Sequence, residues 1–329
     1  MKQKTVIITG GAGFIGSHLC DEYIKRNYKV VCVDNFITGN KNNIKHLIDN
    51  PSFLLLKADV SFHKDFKKIK SIFKKKLLKA DLILHFASPA GPNPNSPKSY
   101  LKYPIKTYLV NSFGTHYLLE LAKKMGSEFV FASTSEVYGN PLEHPQKENY
   151  FGNVNPIGTR SCYDESKRFG EMATITFGKK FNLNSKIIRI FNTYGPRMTP
   201  DDGRVIPQFI LQALNNKPIT IYGSGKQTRS FCYIDDLVNG IQLIVDKATS
   251  FDVFNLGNDK EIKINTLAEK IKSLTKSSSK MIFKKLPKDD PEKRKPDLSK
   301  LRNLFKWQPE VNLNNGLIKT IDYFKKEGV

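Results

Sequence analysis

The stretch Thr9–Gly16, TGGAGFIG, decides the fold, because it joins an apolar strand to a helix through a glycine-rich turn. The run TVIIT at 5–9 predicts the strand, and residues 14–26 have the pattern of a helix. The glycines permit a tight bend and let a ligand approach the backbone closely. The start of the helix then offers free N–H groups and a positive dipole end to a pyrophosphate. We therefore predict a dinucleotide site; glycines that serve only packing are the alternative.

Asp34 closes the second predicted strand, KVVCVD at 29–34, and lies eighteen residues after Gly16. A carboxylate at this position accepts hydrogen bonds from the adenosine ribose and repels the extra phosphate of NADP, so the sequence predicts NAD. Asp59 and Val60, at the end of the third strand, are expected to border the adenine, and a helix-capping role of Asp59 is compatible with this. The predicted NAD-binding residues here are Gly10, Gly13, Phe14, Ile15, Gly16, Asp34, Asn35, Phe36, Thr38, Asp59 and Val60.

Short β-branched runs alternate with amphipathic helical patterns up to residue 192. Continuous apolar strands between helices are typical of a parallel sheet that is covered on both faces. The predicted strands lie at 5–9, 29–34, 52–59, 80–87, 128–134 and 185–192, and the predicted helices at 14–26, about 104–124 and 160–181. We predict an α/β fold, a Rossmann-type doubly wound parallel sheet with a smaller C-terminal α/β substrate lobe.

The rhythm of strands and helices breaks after residue 192, where a turn-rich loop precedes a helix at 206–215 and a short strand at 219–223. We predict an NAD-binding domain at 1–192, to which 227–257 returns. A smaller substrate lobe is predicted at 193–226 and 258–329, and the resemblance described below implies that it binds a nucleotide sugar. It should close over the carboxyl ends of the strands, where open α/β sheets bind ligands.

The chain of 329 residues carries a formal net charge of +22, which could indicate a nucleic-acid or membrane partner. The lysines are spread along the chain, however, and no nucleic-acid-binding motif occurs. The densest run, residues 64–79, places Phe66, Ile69, Phe73 and Leu77 at helical spacing, which predicts a solvated helix with one buried stripe. We therefore expect no nucleic-acid partner.

Cysteine usage and hydropathy predict a soluble, cytoplasmic protein. The four cysteines, Cys20, Cys32, Cys162 and Cys232, are widely spaced and form no C-x-x-C pair, which argues against a metal site and a disulfide framework. No apolar run approaches the length of a membrane span or a signal peptide.

Tyr163 and Lys167, in YDESK, lie one helical turn apart on the same helix face. A neighbouring ammonium and the positive charge of the nicotinamide are expected to lower the pKa of the phenol from its usual value near 10. The phenolate could then take the proton of a substrate alcohol as hydride leaves. Thr134, at the end of a predicted strand, would hydrogen-bond the same oxygen. With the glycine-rich turn and Asp34, this pair indicates a dehydrogenase-type site.

At these residues the sequence resembles the extended short-chain dehydrogenase/reductases that act on nucleotide sugars, over nearly the whole chain. Within that family it is most similar to UDP-glucuronate decarboxylases, on the stretches STSEVYG, HPQKENYFGNVNPIGTRSCYDESKR, RIFNTYGPRM, DDGRVIPQFI, YGSGKQTRSFCYIDDLVNG and DDPEKRKPD. The resemblance implies that NAD oxidises the C4 hydroxyl of UDP-glucuronic acid, and that the resulting β-keto acid loses CO₂. Reduction of the ketone by NADH then gives UDP-xylose.

The triplet Thr134, Ser135 and Glu136 distinguishes among the relatives. Sugar 4,6-dehydratases similar to this chain carry Thr-Asp-Glu there, and the galactose-type 4-epimerases carry Ala-Thr in the last two positions. The resemblance implies that Ser135 and Glu136 position water or the sugar near C5, and that Glu136 could assist proton delivery. The alternative is a purely structural role, in which Glu136 caps the following turn or pairs with a lysine.

The resemblance also implies the other site residues. Arg229 would act on C5 or clamp the diphosphate, and the electrostatic role is physically easier because the pKa of arginine is so high. Ala87 and Ser88 would flank the nicotinamide ribose, and Thr107 would contact the cofactor. The implied substrate-binding residues are Lys106, Asn192, Arg204, Gln208, Tyr222, Arg229 and Arg294, with Tyr222 near the uracil and the arginines facing phosphate.

The chain departs from the family pattern in the loop 91–103, which is Pro-rich and about five residues longer than usual and should lie over the sugar. Leu109 stands where a lysine is expected, and Ser166 where glycine is usual. The resemblance implies a homodimer in which helices near 104–124 and 160–181 form a four-helix interface. A UDP-sugar 4-epimerase or a dehydratase of the same fold remains an alternative, as does a sensor that binds NAD without chemistry.

Overall fold

The computed structural model describes residues 3–75, 79–200, 203–285 and 293–328. The strands are β1 (Thr5–Thr9), β2 (Lys29–Asp34), β3 (Phe53–Lys57), β4 (Leu82–His85), β5 (Glu128–Thr134), β6 (Ser185–Ile190), β7 (Thr193–Tyr194), β8 (Ile219–Tyr222), β9 (Thr228–Ser230), β10 (Cys232–Tyr233), β11 (Asp252–Leu256), β12 (Glu261–Lys263), β13 (Met281–Lys284) and β14 (Lys293–Arg294). The α-helices are α1 (Phe14–Lys25), α2 (His63–Lys75), α3 (Pro104–Leu109), α4 (Thr115–Met125), α5 (Ser161–Phe181), α6 (Val205–Leu214), α7 (Ile234–Lys247), α8 (Ile264–Thr275), α9 (Ser299–Phe305) and α10 (Leu313–Lys326). Two 3₁₀ helices, Lys41–Leu47 and Ser135–Tyr138, and a π-helical turn, Val110–Gly114, complete the helical segments.

Seven strands form one sheet in the order β3-β2-β1-β4-β5-β6-β11, and every neighbouring pair is parallel. The strand order reverses between β1 and β4, so the crevice outside their carboxyl ends is the place where such sheets bind ligands. The predicted doubly wound parallel sheet is confirmed.

Alternate residues of the buried strands pack on opposite faces of this sheet, as the period of two requires. In β1, Val6 and Ile8 belong to one hydrophobic cluster together with Leu19 of α1. Ile7 belongs to a second cluster together with Leu118 of α4. Helices therefore cover both faces, which is why the strands read as unbroken apolar runs.

The remaining strands build the smaller lobe. β8 pairs with β13 in parallel, and β9 lies between β12, which is antiparallel to it, and β14, which is parallel to it. Helices α6, α8 and α10 pack together beside these strands. β9 lies in the segment predicted to return to the NAD-binding domain, but it pairs with strands of the lobe. β11 joins the edge of the large sheet beside β6.

The helix predicted at about 104–124 is interrupted by the π turn at 110–114. The wider turn frees the carbonyl of Val110, which accepts a hydrogen bond from Nε2 of His85 at 3.3 Å. Burial lowers the pKa of His85 to about 3, so this imidazole is neutral and its Nδ1 accepts from the Thr9 hydroxyl at 2.8 Å. Nothing in the local sequence pattern indicated the interruption.

The lysine-rich helix α2 buries Phe66, Ile69 and Phe73, as predicted, while Leu77 lies outside the described residues. Outside them too are residues 201 and 202 of DDGRVIPQFI and 289–292 of DDPEKRKPD. Among the helices described here, none combines the length and apolar character needed to cross a bilayer.

Candidate active site

A cavity of about 800 Å³ lies between the carboxyl ends of the large sheet and the smaller lobe. It brings together most of the residues predicted from the sequence. From the predicted cofactor set it is lined by Gly10, Gly13, Phe14, Ile15, Gly16, Asp34, Asn35, Thr38, Asp59, Val60, Ala87 and Ser88. From the predicted catalytic and substrate sets it is lined by Thr134, Ser135, Glu136, Tyr163, Lys167, Lys106, Asn192, Arg204, Gln208, Tyr222, Arg229 and Arg294.

Phe36 and Thr107, both predicted to contact the cofactor, are not on the cavity wall. The Phe36 side chain packs against the hydrophobic core, and its backbone N–H donates to Oδ1 of Asp34 at 2.8 Å. Thr107 is fully buried within α3, where its backbone N–H bonds to the carbonyl of Tyr103. Neither residue lines the cavity, and the predicted cofactor contact of each stays a prediction.

The glycine-rich turn at the end of β1 fits a dinucleotide phosphate. Gly10 has φ +72°, and a Cβ on Gly16 would lie 2.1 Å from the carbonyl oxygen of Gly10. Only glycine meets both conditions without strain. The turn therefore brings its backbone close to the start of α1, whose N–H groups face the cavity end of β1 and suit a pyrophosphate.

Asp34 lies at the end of β2 and is buried. Its two oxygens accept hydrogen bonds from the backbone N–H groups of Ala12, at 3.0 Å, and Phe36, at 2.8 Å. Burial raises the pKa of Asp34, while these two hydrogen bonds oppose the rise. Asn35 links this region to Asp59 through a hydrogen bond of 2.8 Å. Asp59 also accepts from the hydroxyl of Ser61 at 2.6 Å, so its carboxylate orders the turn before α2.

Tyr163 and Lys167 are buried on one face of α5, and Thr134 hydrogen-bonds the Tyr163 phenol. The Lys167 ammonium donates to the carbonyl of Ala132 at 2.7 Å and lies 5.8 Å from the Tyr163 ring centroid. Burial lowers the pKa of Lys167 to about 7. Burial raises the pKa of Tyr163, and the hydrogen bond from Thr134 and the charge of Arg204 only partly oppose it.

The expected lowering of the Tyr163 pKa combined the Lys167 ammonium with the charge of a nicotinamide, whereas in the protein alone this pKa is raised. Desolvation of the phenolate outweighs the nearby cations, and Lys167 directs its proton to a backbone carbonyl instead of the phenol. The other half of the expectation depends on the charge of a bound nicotinamide.

Glu136 lies in the 3₁₀ turn that follows β5, where the Thr134 hydroxyl accepts its backbone N–H at 3.2 Å. Its carboxylate oxygens are ion-paired with Arg160 and with Arg294. Burial opposes the charge of Glu136, but the two arginines outweigh it and lower the pKa to about 2. Glu136 is thus a stable anion and a poor proton donor, and its partners are arginines, not a lysine.

Arg229 and Arg294 are register partners on the adjacent parallel strands β9 and β14, and both are buried. The charge of Arg229 also acts on Glu136, although its Nη1 donates to the carbonyl of Thr228 at 2.9 Å. Arg294 is ion-paired with Glu136, and its predicted phosphate contact stays a prediction. The charge of Arg204 acts on Tyr163. The smaller lobe therefore supplies a group of arginines to the catalytic end of the cavity.

Four other residues at this site were missed. Arg160 precedes α5, and its position three residues before Tyr163 was a helical-spacing signal that could have found it. Asp164 is buried near Glu136, and burial together with that negative charge raises its pKa to about 7. Asn111, in the π turn, donates to the hydroxyls of Ser88 at 3.1 Å and Ser166 at 3.0 Å. The fourth is Tyr100.

Tyr100 belongs to the longer loop 91–103, part of which lines the cavity. Nζ of Lys98 donates to the Thr199 hydroxyl at 3.4 Å. Asn93 packs closely against Gly203: a Cβ added to Gly203 would lie 2.1 Å from Cβ of Asn93. The loop thus bridges from the large sheet to the turn that precedes α6. No sequence pattern indicated this contact.

A model of the NAD dependent epimerase/dehydratase family matches residues 6–257. The chain is 46% identical, over 98% of its length, to UDP-glucuronic acid decarboxylase 1 of Arabidopsis thaliana, and covers 70% of that protein. It is similar to the structure of UDP-glucose 4-epimerase from Thermotoga maritima with UDP-glucose, with 29% identity and a TM-score of 0.87 over 99% of this chain and 100% of the other.

It is similar as well to the structure of UDP-glucuronic acid 4-epimerase from Bacillus cereus in complex with UDP-glucuronic acid and NAD. That likeness has 30% identity and a TM-score of 0.84 over 98% of this chain and 99% of the other. The glycine-rich turn and Asp34 agree with the cofactor of this family. The chain therefore belongs to the NAD dependent epimerase/dehydratase family, and its cofactor is NAD.

Proposed function

We propose that this protein is a UDP-glucuronate decarboxylase, which converts UDP-glucuronic acid to UDP-xylose and CO₂. The observation that carries the proposal is the ion-paired Glu136 beside the Tyr163–Thr134 pair in one cavity. The Tyr163–Thr134 pair can carry out the proton transfer of a dehydrogenase. The arginines around Glu136 give the same cavity positive charge that can attract a sugar carboxylate. The relative from Arabidopsis thaliana supports the same reaction.

The Tyr163 phenolate, which the positive charge of a bound nicotinamide would stabilise, takes the proton of the C4 hydroxyl of the sugar, and Thr134 holds it in place. NAD, when bound, supplies the acceptor for the C4 hydride and returns that hydride at the end of the reaction. The Lys167 ammonium lies 5.8 Å from the centroid of the Tyr163 ring. Because the pKa of Lys167 is about 7, this side chain can gain or lose its proton near neutral pH. Tyr163 finally gives the proton back to the C4 oxygen.

Decarboxylation follows from the C4 ketone. The bond between C5 and the carboxyl carbon breaks, its electron pair moves into the enolate at C4, and CO₂ leaves. A proton must then be added at C5, which makes the overall balance one proton consumed for each CO₂ released. Glu136, held as an anion by Arg160 and Arg294, orients water or the sugar near C5 instead of donating its own proton. Ser135, buried at the same turn, adds a hydroxyl to this environment.

The experiment that tests this function is incubation of the purified protein with UDP-glucuronic acid and NAD, followed by proton NMR. We expect UDP-xylose without net NADH. Formation of UDP-galacturonic acid instead would identify a 4-epimerase, the function that the similarity to the Bacillus cereus structure favours as second candidate. A 4-keto pentose with stoichiometric NADH would show that the reaction stops after decarboxylation.

We also propose that the protein is a homodimer through α3, α5 and the π turn between α3 and α4. This surface exposes large apolar side chains, which are costly to leave in water over a contiguous patch. They are Ile105 (56% exposed), Tyr108 (40%), Phe113 (53%), Phe169 (43%) and Met172 (51%). A second copy presenting the same face would cover them, as in a two-fold symmetric interface.

A further inference from the structure

The ring of Tyr100 lies face to face on the ring of Tyr163, with the centroids 4.9 Å apart and the planes within 6° of parallel. Tyr100 is 1% exposed and lines the cavity. It is contributed by the loop 91–103, not by the sheet or the helices that carry the other catalytic groups. The reacting tyrosine is therefore covered by a second tyrosine from a distant part of the chain.

The backbone around Tyr100 is fixed by hydrogen bonds. Its N–H donates to the carbonyl of Gly91 at 3.0 Å, and its own carbonyl accepts from the N–H of Tyr103 at 3.2 Å. Gly91 and Ser99 form a parallel bridge, and Ser99 is fully buried. The ring is therefore held in place by the protein itself, so little ordering is needed when a ligand binds.

The Tyr100 hydroxyl is buried, and within the residues that the structure describes it has no hydrogen-bond partner. A buried donor without an acceptor is unfavourable, which points to a partner that arrives with a ligand. Burial raises the pKa of Tyr100, so the phenol keeps its proton and is a hydrogen-bond donor. The charged side chains that act on it are Arg160, Glu136 and Asp164.

We propose that the Tyr100 hydroxyl donates a hydrogen bond to the carboxylate of the bound uronic acid, and so selects sugars that carry this group. The inference rests on the proposed function. In that reaction the C4 hydroxyl must reach Tyr163, and the carboxylate is carried by C5, the neighbouring carbon. Tyr100 stacks on Tyr163, and the charges of Arg160 and Glu136 act on its phenol, so we place its hydroxyl at the end of the cavity that would receive C4 and C5. The sugar carries no other anionic group.

Tyr100→Phe tests this assignment, because phenylalanine keeps the stacked ring and removes only the hydroxyl. Binding is measured by titration calorimetry on protein loaded with NADH, which prevents turnover of UDP-glucuronic acid. We expect UDP-glucuronic acid to bind about 10- to 100-fold more weakly, as for a lost hydrogen bond to a charged group. UDP-xylose, which lacks the carboxylate, should bind within about twofold of the wild type. Tyr103→Phe, in the same loop but off the cavity wall, is the matched control.

Equal weakening of both nucleotide sugars, or of neither, would overturn the proposal. Thermal unfolding of the ligand-free variant gives a second check. A hydroxyl without a partner contributes nothing to the fold, so Tm should stay the same or rise. A drop of several degrees would show that the hydroxyl serves the fold and would also overturn the proposal. NMR of the wild-type products separates this outcome from a failure of the proposed function, since wild-type turnover does not depend on the variant.

Discussion

Arg294 is ion-paired with Glu136, although 158 residues separate the two in the chain. Glu136 follows a strand of the large sheet, and Arg294 ends a short strand of the smaller lobe. The Glu136 carboxylate thus receives part of its charge balance from the smaller lobe, which also lines the cavity. Correct placement of that lobe is then a condition for the chemistry at C5.

Arg294→Lys keeps the positive charge but loses the planar guanidinium, which is not a conservative exchange at a paired site. We expect kcat for UDP-xylose formation to fall about 10- to 100-fold, because the charge that faces C5 is displaced. The rate is measured by NMR at saturating UDP-glucuronic acid. Arg302→Lys is the control, since Arg302 pairs with Asp259 on the surface and should leave kcat within about twofold. Similar effects of the two variants would contradict this role.

Glu136→Gln removes the charge of Glu136 with little change of shape. The pKa of Glu136 is about 2 in the folded protein against an ordinary value of 4.5, so its ionised form stabilises the fold above about pH 4.5. That contribution is lost as the pH falls through about 2. We expect the variant to be less stable by about 3 kcal/mol at pH 7, with the difference shrinking below pH 4.5. Urea unfolding of both proteins between pH 3 and pH 7 measures it.

The exposed Glu120, which lies 4.0 Å from Lys123, provides the control for that series. Glu120→Gln should change the free energy of unfolding by less than about 0.5 kcal/mol at any pH. A stability difference for Glu136→Gln that did not depend on pH would show that the arginines do not hold Glu136 as an anion.

Lys167→Met tests the buried ammonium. The pKa of Lys167 falls from 10.5 to about 7 on folding, so the unfolded chain binds this proton more tightly between those values. Stability of the wild type therefore rises with pH across this window, by about 3 kcal/mol between pH 7 and pH 9.5. The variant should lack this rise, be more stable than the wild type at pH 7, and be inactive. Parallel pH dependences of the two proteins would contradict the lowered pKa.

Tyr163→Phe removes the group that we propose to exchange a proton with the C4 oxygen. We expect kcat to fall about 10²- to 10⁴-fold, the usual contribution of a positioned acid–base group. Binding of NADH and UDP-xylose, measured by calorimetry, should be nearly unchanged, because the aromatic ring and its stacking on Tyr100 remain. Residual turnover within tenfold of the wild type would assign the proton transfer to another group.

The fold could be predicted from the sequence wherever a local sequence pattern is enough to determine the structure. The apolar runs of the strands and the glycine-rich turn define the parallel sheet, and helical spacing brings Tyr163 and Lys167 together. Local sequence patterns did not predict the contacts between segments that are distant in the chain. The ion pair of Glu136 with Arg294 depends on the position of the smaller lobe in the folded protein. The stacking of Tyr100 on Tyr163 depends on the position of the loop 91–103. The raised pKa of Tyr163 depends on burial, which is a property of the assembled site.

The proposed dimer makes a prediction for the surface of α3 to α5. Phe113→Glu places a charge on the apolar face and should convert the dimer to a monomer in size-exclusion chromatography with light scattering. Phe151→Glu is the control, because Phe151 is 88% exposed in the loop that precedes α5. It should leave the mass unchanged. A monomeric wild type would contradict the proposed interface.

The Asp34 carboxylate accepts hydrogen bonds from two backbone N–H groups, one in the glycine-rich turn and one in the segment after β2. The side chain that we predict to favour NAD over NADP thus also connects two loops of the nucleotide site. Replacing Asp34 with a smaller neutral residue would leave the backbone N–H groups of Ala12 and Phe36 without these acceptors. Engineers who wish to switch the coenzyme of this scaffold must therefore supply a new acceptor for Ala12 and Phe36 along with the phosphate pocket.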